Sequence, residues 1–377
     1  MEQFDISHND IKMNEPTHTR RRFLEKSSCL VALSSFPNLL LANKSGNGPL
    51  VLGNGGHRYE VQHDFLKLPD RFHWQTTHNV AVDMDGLIYV IHEGLAELND
   101  HPSIFVFDPD GRYIRSFGKE FQGGGHGLEV RTEGSEQFLY VTGYQQLKKF
   151  AKLTLKGETI WEKRAPMDSG LYPKGEDTHP EKRWGRNAFM PTNFAFREDG
   201  GFYVADGYGS YRIHQYDQNA NWLGMFGEPG KRNGQFNTSH GLWIDRRSGR
   251  EEIVIADRAN HRLQWFTNEG KHLQTLDGFI LPANVDSYGD LLLVPDLSAR
   301  VTLLDRNNKV IAHLGEDEEW RKRVMGDRRA LRRDESGKSW ASGRFLHPHD
   351  ACFDLTGNIL VAEWVQTGRM TRLKKVS

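Results

Sequence analysis

Short runs of apolar or alternating residues recur along the chain from Asn79 to Leu373, with polar, glycine-containing turns between them. The stretch 79–118 contains four such runs, separated by turn pairs such as Asp85-Gly86 and Asp110-Gly111. Short runs bounded by Asp-Gly pairs are typical of antiparallel strands joined by tight turns. The pattern therefore predicts an all-β chain built from four-stranded sheets.

This four-strand unit repeats six times, and at roughly 40–50 residues per unit the repeat would occupy nearly all of the 377 residues as one domain. We therefore expect a six-bladed β-propeller over residues 58–377. Tyr59–His63 is a strand-like segment without a partner nearby, and it could complete the last blade. The glycine-rich passages before the inner strands, such as 227–236, resemble those of NHL repeats.

Two segments depart from the repeat. Residues 166–190 are charged and contain proline, which indicates a loop between blades. In residues 316–334, Trp320, Val324 and Leu331 are spaced as on one face of a helix, among many arginines. This pattern predicts a solvated amphipathic helix over one face of the ring, with an anion-binding patch as the alternative.

The first residues are expected to lie outside the fold. Thr19–Lys26 resembles the twin-arginine export motif, and the apolar stretch Leu30–Ala42 that follows is too short for a membrane span. We predict an export signal over residues 1–42 and a linker over 43–57, with a disordered basic tail as the alternative. The mature protein is then periplasmic or extracellular and not inserted in a membrane.

Composition narrows the choice of partners. A net charge of −1 and a pI near 7.0 give no basic footprint for nucleic acid. The two cysteines are Cys29 and Cys352, and Cys29 lies in the predicted signal, so the mature chain has no disulfide. We expect a monomer that binds a small-molecule or peptide substrate.

Histidine enters the innermost strand in four of the six units. The entering residues, in order, are His78, His126, Thr192, His240, Ala283 and His349. Equivalent strand ends converge on one mouth of the central channel, and three imidazoles around an axis can hold zinc with a fourth position open. Alternatively, these histidines cap the strands by bonding to loop carbonyls.

The next slot along each strand is also polar. It holds Asn79, Gly127, Asn193, Gly241, Asn284 and Asp350. Such a collar suits a hard cation, such as calcium, deeper in the channel. The alternative is that Asp350 ties strand backbones together.

Several motifs resemble those of the peptidyl-α-hydroxyglycine α-amidating lyase family. They are His126-Gly127-Leu128, Asp206-Gly207-Tyr208, Ser239-His240, Ala256-Asp257-Arg258 and Pro348-His349-Asp350. The resemblance implies a zinc site and a structural calcium site. It assigns zinc to His126, His240 and His349, and calcium to Asp350 with the carbonyls of Val80 and Leu128. It also implies that Tyr208 acts on a substrate hydroxyl, with Arg258 beside it to lower the tyrosine pKa by its charge.

Two departures limit the resemblance. Glu93 stands where the family has a catalytic arginine, and Gly209 follows the tyrosine where the family has a cysteine. A glutamate is expected to repel a substrate carboxylate, so we expect poor glyoxylate release from an α-hydroxyglycine substrate. His78 and His347 have no family role and are possible additional ligands.

The leading hypothesis is an exported zinc-dependent lyase that acts on a hydroxylated small molecule or peptide C-terminus. The alternative is a non-catalytic NHL propeller that binds a protein or glycan on its rim. A calcium-dependent hydrolase of the lactonase type ranks third, because it needs more carboxylates on the axis than Asp350 and Glu93 supply.

Overall fold

The computed structural model describes residues 49–98 and 100–376, except the side chain of Arg328. The predicted export signal and the beginning of the predicted linker lie outside the described residues. Within the described part, no helix is long and apolar enough to cross a bilayer.

The structure confirms the six-bladed β-propeller. Each blade is an antiparallel sheet, and in blades one to five the strands run from the channel outward in sequence order. Blade one comprises Thr77–Val82, Ile88–His92, Ile104–Phe107 and Tyr113–Phe117, and blade two Gly125–Glu133, Glu136–Gly143, Lys149–Thr154 and Thr159–Lys163. Blade three comprises Phe194–Phe196, Phe202–Ala205, Ile213–Tyr216 and Trp222–Phe226, and blade four Ser239–Asp245, Glu252–Asp257, Arg262–Phe266 and His272–Asp277. Blade five comprises Asp286–Tyr288, Leu291–Asp296, Arg300–Leu304 and Val310–Leu314, and blade six begins with Pro348–Phe353, Ile359–Glu363 and Arg369–Val376.

The two ends of the described chain share blade six. His57–His63 pairs antiparallel with Arg369–Val376, so that Val61 lies opposite Leu373. Val51–Asn54 then adds a fifth strand at the outer edge. The described part of the predicted linker therefore contains a strand, because its backbone finds a partner in His57–His63.

Apolar side chains between neighbouring blades form the core. Six such clusters alternate with the six blades, one at each blade-to-blade contact. Between blades six and one, for example, Leu360 and Met370 pack with Val80, Val90 and Phe105. Burial of these faces provides the main free energy that closes the ring.

The insert between blades five and six contains the α-helix Glu318–Met325 and the 3₁₀-helix Asp327–Arg333. The Asp317 side chain caps the α-helix by accepting the Trp320 N–H at 2.8 Å. Trp320, Val324 and Leu331 face the ring and pack with apolar residues of blades five and six. This apolar contact fixes the arginine-bearing side of the insert relative to the channel.

Shorter elements complete the chain. They are the 3₁₀-helices Lys119–Phe121, Met167–Ser169 and Arg258–Asn260, and a parallel ladder between Glu228–Pro229 and Gln235–Phe236.

The loop 166–190 is fastened by a buried ion pair. Lys148 Nζ lies 2.8 Å from Glu176 Oε1, and both side chains are excluded from solvent. The same carboxylate accepts the Phe189 N–H at 2.8 Å. Charges this deeply buried require partners, so the pair holds the loop against blade two.

Candidate metal centre and channel mouth

Each of the four entering histidines lies at a β-bulge. In blades one, two, four and six, the pairing of the inner and second strands shifts register at the histidine. The shifts lie between Thr77 and Asn79, Gly125 and Leu128, Ser239 and Leu242, and Pro348 and Asp350. The paired inner strands of blades three and five show no such shift. Because a bulge turns one side chain out of the alternation, it directs each imidazole into the channel.

The four imidazoles meet at the channel axis. One ligand atom each of His78, His126 and His349 lies within 4.8 Å of the others, and all three residues are buried. His240 completes the cluster, with its Nε2 3.2 Å from His126 Nε2 and its ring centroid 4.7 Å from that of His349. The predicted trio of His126, His240 and His349 is therefore brought together, and His78 joins it.

Backbone carbonyls of neighbouring blades orient three of these rings. The Nδ1 atom of His126 lies 2.9 Å from the carbonyl oxygen of Thr192, and that of His240 lies 2.6 Å from the oxygen of Ala283. His349 Nδ1 bonds in the same way to the carbonyl of His78, at 2.7 Å. A carbonyl can only accept, so each Nδ1 carries the hydrogen and each Nε2 keeps a free lone pair.

These rings are neutral. Burial lowers the pKa of His126, His240 and His349 well below the usual value, and neighbouring histidines and Arg258 add to the effect. The buried Nε2 of His349 has no hydrogen-bond partner among the described residues. A partnerless buried lone pair beside other imidazole lone pairs fits a cation held at this point.

Tyr208 closes one side of the cluster. Its hydroxyl lies 2.9 Å from His240 Nε2 and 3.4 Å from His126 Nε2, and Arg258 donates to the same oxygen at 3.2 Å. Burial raises the Tyr208 pKa, while the charge and hydrogen bond of Arg258 lower it. Arg258 therefore acts in the predicted direction, but burial prevails and keeps the phenol protonated.

Glu93 is not an isolated negative charge. Its Oε2 lies 3.2 Å from His78 Nε2, and its Oε1 accepts a hydrogen bond from Gln145. Burial alone would raise the Glu93 pKa, but His78 and then the charge of Arg332 outweigh it, so the pKa lies below the usual value. Glu93 thus fixes His78 and keeps it distinct from the three carbonyl-bound histidines.

His347 lies apart from the cluster. Its Nδ1 bonds to the Leu297 carbonyl at 2.6 Å, and its ring packs edge-on against Trp364. Burial lowers its pKa to about 3. The structure therefore places His347 at the mouth beside blade six, away from the four converging rings.

A second polar cluster lies deeper in the channel. Asp350 Oδ1 accepts from Asn284 Nδ2 at 2.6 Å, and its Oδ2 accepts the Val80 N–H at 2.8 Å. Leu128 packs in the core between blades one and two. The carboxyl group of the next residue, Glu129, is close enough to Asp350 for the Asp350 charge to raise its pKa, in addition to the larger effect of burial. The structure thus brings Asp350 to the amide hydrogen of Val80. The predicted calcium set of Asp350 with the carbonyls of Val80 and Leu128 stays a prediction.

Glu129 and Asp286 belong to the same deep cluster. Burial raises the pKa of Asp286 to about 7 and that of Glu129 well above its usual value, and the nearby Asp350 charge adds to both effects. Within the part of the chain that the structure describes, the buried Oδ1 atoms of Asn79, Asn193 and Asn284 have no hydrogen-bond partner. An oxygen-rich set of repelling carboxylates and unpaired amide oxygens suits a hard cation.

Sequence reasoning missed Glu129 and Asp286, although a signal was present. Both lie two positions beyond the slots of Gly127 and Asn284 on their inner strands. Side chains two positions apart share a face of a strand, so a carboxylate there faces the same channel. Sequence reasoning also missed Tyr144, whose ring centroid lies 4.9 Å from that of His126.

No family model matches the chain. Part of the sequence is similar to Peptidyl-glycine alpha-amidating monooxygenase B of Xenopus laevis, with 28% identity over 172 residues, 44% of this chain and 18% of that protein. The A form is 29% identical over 174 residues, 44% of this chain and 17% of its own length. Protein brain tumor of Drosophila melanogaster is 27% identical over 130 residues, 33% of this chain and 12% of its length. The chain thus spans less than a fifth of these relatives, and the NHL assignment stays a prediction.

Solved structures with the same fold include two streptogramin-related lyases. A streptogramin B lyase matches with a TM-score of 0.51 and 11% identity, covering 84% of this chain and 97% of that one. A catalytically inactive virginiamycin B lyase from Staphylococcus aureus, with quinupristin, matches with a TM-score of 0.52 and 13% identity, covering 84% and 100%. At these identities the likeness shows the fold alone.

Proposed function

We propose that this protein is an exported, zinc-dependent lyase that cleaves a hydroxylated small molecule or a hydroxylated peptide C-terminus. The observation that carries the proposal is the shared orientation of His126, His240 and His349, whose Nδ1 atoms bond to backbone carbonyls. The partial similarity to the amidating monooxygenases supports the class of chemistry. The twin-arginine-like motif supports export to the periplasm or the cell exterior.

We assign the zinc ligands to His126, His240 and His349. Neutral imidazoles whose other nitrogen donates to a carbonyl are the usual form of zinc-bound histidine, because that bond fixes the ring and raises its basicity. His78 is a possible additional ligand: its Nε2 faces Glu93, and its buried Nδ1 has no hydrogen-bond partner among the described residues. The proposed site keeps its open position on the side of Tyr208.

The described residues have separate roles in the proposed reaction. A zinc ion, when bound, supplies a Lewis acid for the substrate hydroxyl and a positive charge beside the phenol. Burial keeps the phenol protonated in the free site, so the base must be the phenolate, which the zinc charge and the hydrogen bond from Arg258 would together favour. In that form Tyr208 would remove the hydroxyl proton. The carbon–nitrogen bond then breaks as the carbonyl forms, and the departing nitrogen takes up a proton. The products are an amide and an aldehyde, with no change of oxidation state overall.

We also propose that the deeper cluster of Glu129, Asp286 and Asp350 binds calcium. Burial raises the pKa of all three carboxyl groups, and the Asp350 charge adds to the rise at Glu129 and Asp286. A divalent cation among them would stabilise the three anions. Such a site would tie the inner strands of blades two, five and six together. Its role in the lyase would be structural.

The deep cluster also supports a second candidate function, a calcium-dependent hydrolase of the lactonase type. Sequence alone counted Asp350 and Glu93 as axial carboxylates, and the channel adds Glu129 and Asp286. In that case calcium, and not zinc, would be required for turnover. The non-catalytic propeller that binds a protein or glycan on its rim would require neither.

Elemental analysis of the purified mature protein separates these functions. We expect about one zinc per chain, lost in the His240→Ala variant. Glyoxylate release from an α-hydroxyglycine substrate then tests the lyase step. A fully folded protein that takes up no zinc when supplied with it would overturn the proposal. Hydrolysis that needs only calcium would favour the second candidate.

A further inference from the structure

The insert between blades five and six brings positive charge to the channel mouth. Arg332 stacks on Trp364, with its guanidinium carbon 3.7 Å from the ring centroid, and Arg329 lies over the same ring at 5.5 Å. The Gln366 N–H donates to the Arg332 carbonyl at 3.0 Å, which holds this turn against blade six. Trp364 leaves the second strand of blade six at the same end as the histidine cluster.

These arginines reach the residues that surround the proposed metal site. The charge of Arg332 acts on Glu93 and Tyr144, and Tyr144 packs against His126 and Tyr208. The charge of Arg329 acts on Arg258, which bonds to Tyr208. The insert and blade four therefore flank the space above the cluster from two sides.

The charge balance of this space is positive. Three guanidinium groups, those of Arg258, Arg329 and Arg332, border this space, and the charge of Arg332 acts on the carboxylate of Glu93. Glu93 already interacts with His78 and Gln145, and His126, His240 and His349 are neutral. The Nε atom of Arg332 is buried without a hydrogen-bond partner among the described residues. Guanidinium groups held close together against their mutual repulsion favour an anion between them.

We propose that Arg329 and Arg332 form an anion subsite that holds a carboxylate of the substrate above the histidine cluster. The subsite deepens the proposed function, since it places that substrate relative to the site. It also changes the expectation drawn from Glu93. The repulsion that Glu93 alone would exert on a carboxylate is offset by Arg332, which the insert supplies from another part of the chain.

The stacking geometry favours a planar anion. The guanidinium carbon of Arg332 lies 3.7 Å from the centroid of the Trp364 ring, and so close a contact restricts the positions that the guanidinium group can take. A guanidinium group restricted in this way matches the two oxygens of a carboxylate. The subsite therefore selects for charge and not for the hydroxyl that the reaction uses.

Binding of mandelate and mandelamide tests the subsite. Both carry an α-hydroxyl group, and they differ in that one presents a carboxylate and the other a neutral amide. By titration calorimetry we expect mandelate to bind the zinc-loaded protein at least about tenfold more tightly, as one charge-assisted pair predicts. The preference should fall to less than about threefold in Arg332→Met, persist largely in Arg332→Lys, and weaken with added salt.

Arg323→Met is the matched control. Arg323 lies on the same insert, but its guanidinium group faces Trp320, and the full mandelate preference is expected to remain. Equal binding of the two probes, or the same loss in Arg323→Met as in Arg332→Met, would overturn the subsite.

The His240→Ala protein separates this proposal from the lyase proposal. A carboxylate can also bind directly to a metal, so the arginine contribution must be visible without zinc. We expect mandelate to bind His240→Ala more tightly than the double variant His240→Ala/Arg332→Met. That result would support the subsite even if no lyase activity were found, and equal binding to the two proteins would contradict it.

Discussion

His126 donates the hydrogen on its Nδ1 to the carbonyl oxygen of Thr192, which belongs to the next blade and lies 2.9 Å away. Gly127 makes this contact possible, because a Cβ at that position would lie 2.3 Å from the same oxygen. The relationship recurs in blade four, where a Cβ on Gly241 would lie 2.6 Å from the Ala283 oxygen that orients His240. In each His-Gly pair, the absence of a glycine side chain lets the carbonyl of the next blade approach closely. That carbonyl then fixes the orientation of the imidazole ring.

Replacement of Gly241 by alanine should therefore weaken zinc binding without removing a ligand. The added methyl group displaces the carbonyl of Ala283, and loss of such a support lowers metal affinity roughly 10–100-fold. Competition with a chelating dye measures the change. Gly224→Ala is the matched control, since a Cβ there meets no atom within 4 Å. Unchanged affinity in Gly241→Ala would show that the carbonyl does not orient the ligand.

Single alanine variants distinguish the ligands within the histidine cluster. We expect His240→Ala to lose zinc by more than about 100-fold in affinity, because an open site needs its three protein ligands. His78→Ala should retain most of its zinc, and so should His347→Asn, which changes a histidine outside the cluster. Zinc content after dialysis provides the measurement. If His78→Ala loses its zinc and His240→Ala retains it, the zinc ligands are His78, His126 and His349.

The Tyr208→Phe variant tests the proposed base. Removal of the hydroxyl should reduce kcat about 10²–10⁴-fold, the usual contribution of a positioned acid or base. Zinc content should not change, since the hydroxyl is not a proposed ligand. Steady-state kinetics and metal analysis on the same preparation check both points. If kcat of the variant stays within about threefold of kcat of the unmodified protein, Tyr208 is not the base.

Acid should destabilise the fold through buried histidines. Burial lowers the pKa of His214 from 6.5 to about 3, and the ring bonds to Tyr172 and Trp222. The unfolded chain takes up the proton near pH 6.5, so stability present above that pH is lost as the pH falls toward 3. The loss is about 1.4 kcal/mol per pH unit for one such histidine.

The His214→Gln variant isolates this contribution. Urea unfolding at pH 7 and at pH 5 gives the free energy of unfolding for both proteins. The variant is less stable at pH 7, but its stability should fall less between the two pH values. Equal falls in the two proteins would mean that His214 is already charged in the folded state.

The Lys148→Met variant should destabilise the protein by about 3–5 kcal/mol, because it leaves the Glu176 carboxylate buried without its partner. The double variant Lys148→Met/Glu176→Gln should recover part of the loss, since the remaining group is neutral. Urea unfolding at pH 7 measures both. A loss below about 1 kcal/mol, typical of exposed pairs, would show that the loop 166–190 can release Glu176 to water.

The ring was predictable from sequence because its pattern is local. Apolar runs such as Ile88–His92 and Asp-Gly turns such as Asp85-Gly86 repeat at regular spacing, and each repeat builds one sheet. The convergence of His126, His240 and His349 followed from the same periodicity, since equivalent strand ends meet at one end of the ring.

The details of the site were not predictable, because they depend on contacts between blades. Four bulges turn histidines into the channel, and no local residue pattern around His78 marks its bulge. The residues leaving the second strands also divide into two roles. Asp257 and Glu363 turn inward and pair with arginines, whereas Glu93 and Trp364 surround the mouth.

The electrostatic surroundings of Glu93 could not be predicted from the residues next to it in sequence. The sequence around Glu93 indicates a reversed charge, but Arg332 lies 239 positions later and is brought to Glu93 only by the packing of the insert. The helical spacing of Trp320, Val324 and Leu331 predicted which face would be buried. It gave no information on which residues the opposite face would meet.

Blade six is formed by strands from both ends of the described chain, since His57–His63 pairs with Arg369–Val376. During synthesis, the early strand has no partner until the strands of blade six have been made. His349 is likewise the last of the four imidazoles to be synthesised, so the proposed zinc site can form only after blade six has been added. Chains truncated before blade six are therefore expected to take up no metal at this site.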